Sequence, residues 1–173
     1  MQLLAELIGA PLHWEQPKAS KMEYELHGAE SVVATLRFRS MFGSLATAES
    51  ADGCWTFKRI GFWRPRVTVR VCGGETDIAM FTNHTWSNGG TLALPDGRTL
   101  LASTNLWATQ YEIKTETDAS LIHYKMHGFV RFGSDVTLQP AASGLVELPW
   151  LVSLGWYLAV LMYMDGAAAA AAV

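Results

Sequence analysis

The segment KRIGFWRPRVTVR, residues 58–70, holds the densest candidate chemistry in the chain. Lys58, Arg59, Arg64, Arg66 and Arg70 stand there without an acid, and Phe62 and Trp63 lie between them. Cations beside aromatics suit an anionic lipid surface, because the charges meet phosphate while the rings enter the interface. Read as a strand, the end of this segment turns Arg66, Thr68 and Arg70 to one face and Val67, Val69 and Val71 to the core. The plainer alternative is a solvated basic strand balanced by Glu49, Asp52, Glu75 and Asp77. Single-stranded nucleic acid could also lie on such a face. The formal net charge of −3 argues against it.

The other reactive residues form no constellation. His123 and His127 have the i,i+4 spacing of zinc ligands on a helix. Their surroundings, SLIHYKM, read as a strand, where residues four apart lie roughly 13 Å from each other and cannot share a metal. His13, His27 and His84 have no partner that the sequence supplies. Cys54 and Cys72 sit in no CxxC motif, so buried or half-buried free thiols in a reducing, cytoplasmic setting are expected. Glu112, Glu116 and Asp118 suggest no carboxylate pair, and the phosphate-loop, dinucleotide and hydrolase-elbow motifs are absent from the sequence. The sequence therefore predicts no catalytic residue, no cofactor and no metal. An enzyme working in an unrecognised pocket is the least favoured functional class.

What could position the basic segment is a β-rich frame. Of the 173 residues, half are hydrophobic and 17% are charged, and the apolar excess gathers at the C-terminus. The first residues, MQLLAELIGA, lack the positive flank of a secretory signal, so the sequon Asn83-His84-Thr85 is given no role. From about Glu23 to Leu138, VTVRV, YEIKTE and SLIHYKM alternate or are rich in β-branched and aromatic residues. Turn signals at Asp52-Gly53, Gly73-Gly74, Asn88-Gly89-Gly90 and Asp96-Gly97 punctuate them, as in an antiparallel sandwich or barrel. A shift of 44 residues lays Asp52-Gly53 on Asp96-Gly97, Trp63 on Trp107, and Val67 and Val69 on Tyr111 and Ile113. GSLAT (43–47) also resembles GTLAL (90–94), a fainter third copy of a multi-strand repeat.

The closing segment carries no charge from Leu148 to Met164. That run falls slightly short of the about 20 apolar residues that span a bilayer. No Lys or Arg follows Arg131 to orient an anchor. Leu151, Leu154, Leu158 and Leu161, with Val152, Trp156 and Val160, make a helix apolar on every side, and such a helix must be surrounded. A helix with its side chains is about 10–12 Å across, and an eight-stranded barrel fills itself. About twelve strands are needed, and these with their loops use on the order of 120 residues.

The repeated strand units with their Asp-Gly hairpins, Trp63 and Trp107, and the closing ELPWLVSLGWYLAVLMYMDG (147–166) together resemble the tubby C-terminal-like superfamily. That superfamily includes the LURP-one-related proteins and the phospholipid scramblases, and bacterial proteins of unknown role resemble the closing stretch. The resemblance covers roughly residues 22–166. It implies a twelve-stranded antiparallel β-barrel around a hydrophobic C-terminal helix. It also implies lipid contact, since tubby proteins bind phosphoinositides and scramblases act at membranes, although no tubby lipid-site residue maps onto this chain one by one.

The expectation is thus a single domain over 1–173, with barrel 22–144, buried central helix 149–164 and alanine-rich tail 166–173. Its function is expected to be non-catalytic: binding of anionic phospholipid or a protein partner at the cytoplasmic membrane face, through Lys58, Arg59, Trp63, Arg64, Arg66 and Arg70. The alternative is a β-domain tethered by a transmembrane segment over 148–164.

Overall fold

Alternating sequences such as LHWE, EYELH and QYEIKT bury every second residue, which a strand does when one face covers a core. A computed structural model describes residues 2–29, 31–84 and 89–173. Among these residues twelve strands close into one antiparallel barrel. In chain order they are β1 (Leu12–Glu15), β2 (Glu23–His27), β3 (Val32–Phe38), β4 (Ala46–Ser50), β5 (Gly53–Ile60), β6 (Arg66–Val71), β7 (Ala79–His84), β8 (Gly89–Ala93), β9 (Thr99–Thr104), β10 (Gln110–Thr115), β11 (Ser120–His127) and β12 (Gly133–Leu138). Each pairs with its neighbours in sequence, and β1 closes the ring on β12 through Leu12↔Val136 and Trp14↔Ser134. The barrel therefore begins before residue 22. The extra strand is only four residues long, too short for its alternation to stand out in sequence.

The helix α1 (Leu148–Ala171) runs up the barrel, and every residue from Trp150 to Leu161 is buried. Aromatic side chains fill the space between helix and wall. Trp156 stacks on Trp14 and Phe132 with ring centres 6.1 and 4.9 Å away, and Tyr157 stacks on Phe38 at 5.4 Å. Two wall-to-helix hydrogen bonds fix the register: the Tyr124 hydroxyl donates to the Val152 carbonyl at 2.7 Å, and the Tyr157 hydroxyl to the Ser44 carbonyl at 2.6 Å. Ion pairs hold both ends of the helix, Arg98 on Glu147 at its start and Arg59 on Asp165 near its finish. The alanine run is helical to Ala171 and exposed, as the strong helix propensity of alanine favours.

The 44-residue echo is a structural repeat. It lays β6 on β10 and β8 on β12, with Val67, Val69, Tyr111 and Ile113 all facing the core. Trp63 and Trp107 fall in equivalent loops, after β5 and after β9. The third copy is out of step, since Gly43–Leu45 precede β4 while GTLA lies within β8. The Asp96-Gly97 hairpin joins β8 to β9 as its sequence predicts. The turn at Asn88 and the sequon threonine Thr85 lie outside the described residues.

Candidate functional site

In β5, Trp55, Phe57 and Arg59 share one side of the strand and Thr56, Lys58 and Ile60 the other. The pairing Lys58↔Thr68 and Ile60↔Arg66 carries this alternation into β6, so Lys58 and Arg66 stand on the outer wall at diagonal positions. Arg66 reaches the Met80 sulfur at 3.8 Å. The other cations of the segment separate. Arg59 faces the helix and its guanidinium donates to the Asp165 carboxylate at 2.6 Å. Arg70 lies near the far end of β6 and donates to Asp77 at 2.5 Å. Arg64 sits in the loop 61–65 between β5 and β6, which also presents Phe62 and Trp63. Trp63 is 88% exposed, and its ring meets Phe62 edge-on with centres 5.4 Å apart.

The predicted group is therefore brought together only in part. Lys58, Arg66, Arg64 and Trp63 form a wall and tip that can meet an anion and an apolar phase together. Arg59 and Arg70 hold intramolecular carboxylates instead. Sequence reasoning missed Asp165 as the partner of Arg59, because only the helix's position inside the barrel brings residues so distant in the chain together. Val71 does not join the core: it ends β6 and is 51% exposed at the rim.

The expected free thiols are not free. Cys54 and Cys72 are bonded, with Cα atoms 5.4 Å apart. They flank the Trp55↔Val71 pair, and Cys72 N–H donates to the Cys54 carbonyl at 3.0 Å. The β5–β6 hairpin closes the separation in sequence. The bond removes the ground on which a reducing compartment was expected.

Inside the same end of the barrel, a cavity of about 390 Å³ opens between α1 and the wall from β5 to β10. Arg59 and Asp165 line its rim, and Val67, Phe81, Tyr111 and Leu158 its apolar side. Burial pushes the Tyr111 phenol up, so the ring stays neutral there. His123 and His127 are on β11; His123 lies 3.4 Å from the Gln110 side chain, and His127 pairs with Asp135 at 3.8 Å.

No protein-family model and no curated protein sequence matches the chain. Among solved structures, the X-ray structure of an Arabidopsis thaliana protein is similar to it at 11% identity and a TM-score of 0.49, covering 84% of this chain and 91% of that one.

Proposed function

We propose that this protein is a non-catalytic module, akin to the tubby C-terminal-like superfamily, that attaches peripherally to anionic phospholipid surfaces. The observation that carries the reading is the β5–β6 tip. Phe62 and Trp63 are 87% and 88% exposed, and no carboxylate among the described residues lies within 4.0 Å of Lys58, Arg64 or Arg66. A soluble protein gains nothing by holding two large rings in water, whereas a ring at a headgroup layer gains its burial and the adjacent guanidinium gains a phosphate. Attachment through this surface is favoured over a tether at 148–164, because those residues fill the barrel and a tether would have to withdraw them.

Flotation with phosphatidylcholine vesicles, with and without phosphatidylserine, tests this. The wild type should float only with the anionic vesicles. At about 1 kcal/mol for each basic residue near the surface, Arg64→Ala/Arg66→Ala should weaken partitioning roughly 30-fold. Equal flotation of the variant and the wild type, or none by either, removes the proposal and leaves a protein partner as the remaining occupant of the tip.

A further inference from the structure

The β5–β6 loop is one of a ring. Strands that alternate in direction put the loops after β1, β3, β5, β9 and β11 at one end of the barrel, the end where α1 emerges. Four of these loops carry a pair of exposed large apolar residues: Met41-Phe42, Phe62-Trp63, Leu106-Trp107 and Phe129-Val130. Phe42, Phe62 and Phe129 are 97%, 87% and 92% exposed. Scattered single apolar residues on a surface need no explanation, but a pair on one loop after another does.

Two of the tips are the same device. Gly61-Phe62-Trp63-Arg64 and Gly128-Phe129-Val130-Arg131 are near-identical tetrapeptides. Their glycines have φ of +81° and +88°, a left-handed conformation that side chains disfavour. A Cβ on either would press into the carbonyl oxygen of the arginine three residues on, at 2.9 and 1.9 Å. The turn thus folds tightly on itself and pushes the apolar pair outward beside a cation. These two loops are six strands apart in a ring of twelve, on opposite sides of the axis.

Charge divides along the same axis. The described loops at this end contain Lys18, Lys21, Arg39, Arg64 and Arg131 and no acid. The loops at the other end contain Asp52, Glu75, Asp77, Asp96, Glu116 and Asp118, with Arg98 the cation among them. Beyond Asp165 the uncharged alanine turns of α1 project from the basic end, on the order of 9 Å at 1.5 Å per residue.

We infer that the protein docks end-on: the whole loop ring enters an anionic bilayer surface with the barrel axis along the membrane normal and the acidic end held away. Opposed apolar tips cannot both be satisfied by contact through one side of the wall, and the charge polarity orients the barrel as the tips require. A flat protein partner would satisfy the apolar tips, but it would not call for a cation beside each glycine-hinged pair, which phosphate headgroups do.

This inference rests on the membrane-binding reading above, and its test separates the two. Phe129→Ser/Val130→Ser alters the side of the ring opposite the β5–β6 tip, at residues whose exposure leaves the fold undisturbed, which a melting curve checks. Partitioning onto phosphatidylserine vesicles should fall roughly tenfold or more, as removing one buried aromatic from an interface predicts. Hydrogen exchange of the wild type on the same vesicles should slow in 39–45, 61–65, 105–109 and 128–132 and stay unchanged in 72–78 and 94–98. Wild-type-like partitioning of the variant, with protection confined to 58–70, means side-on docking and overturns the inference while the lipid-binding reading stands. A wild type that binds no vesicle overturns both.

Discussion

Gly155 is the residue at which two local effects oppose each other. A glycine inside an exposed helix costs about 1 kcal/mol relative to alanine, so propensity alone favours Gly155→Ala. The wall decides otherwise. A Cβ at this position would lie 2.3 Å from the Tyr124 hydroxyl oxygen and 2.7 Å from ring carbons. That ring cannot swing aside, because it is fully buried and its hydroxyl is bonded to the Val152 carbonyl. Overpacking of this kind costs about 1–3 kcal/mol, which outweighs the propensity gain. Gly155→Ala should lower stability in urea denaturation; a variant as stable as the wild type would mean the Tyr124 contact is slack. The sequence shows a tolerated helical glycine and no more, since the reason for it sits on β11. The bonded cysteines were hidden for a related cause. Their spacing matches no motif, and only the strand register sets them side by side.

Among the elements, α1 was the most legible. An uncharged run with apolar residues on every side admits few solutions in water, and enclosure by strands is one of them. The hairpin at Asp96-Gly97 was legible because its turn chemistry is local. β1 was not: it is held by pairing with β12 and by the packing of Trp14 on Trp156 rather than by any signal of its own. The helix and the wall depend on each other in the same way. A chain ending before Leu148 loses the helix side chains on which Trp14, Phe38, Phe57 and Phe132 pack, and should give no cooperative melting transition and exposed, dye-binding apolar surface. A chain ending at Gly166 loses only exposed alanines and Val173. Its stability should stay within about 0.5 kcal/mol of the full chain. Cooperative unfolding of the chain that ends before Leu148, followed by circular dichroism, would show the helix to be dispensable.

At the scale of the molecule, four tyrosines are buried in the interior, Tyr24, Tyr111 and Tyr124 on the wall and Tyr157 on the helix, and burial raises the phenol of each above its ordinary value. The unfolded chain releases these protons near pH 10, while the native barrel retains them. The native state then binds more protons than the unfolded one, so stability is full below about pH 10 and falls as pH rises beyond it. Melting temperature should drop steeply above about pH 10, and removal of one hydroxyl by Tyr111→Phe should soften that drop. A flat profile to about pH 11 would mean that water reaches the rings.

The candidate site was legible only as a fragment. Trp63 and Arg64 stand out in sequence because cations and aromatics cluster there. The ring to which they belong is dispersed over loops separated by whole strands, and the net charge of −3 averages its basic end against an acidic one. The recurrence of Gly-Phe-x-Arg at 61 and 128 was the signal available. It falls outside the 44-residue repeat, which is why aligning the repeats passes over it.

The order of elements along the chain has a further consequence. The rod that fills the barrel follows all twelve strands, so a ribosome delivers every piece of wall before it delivers the filling. During synthesis the inward side chains of the early strands have no helix to close upon until α1 follows them. Closure of this barrel on its core therefore waits for α1, and the inward faces of the strands stay open to misassociation until that helix has followed them.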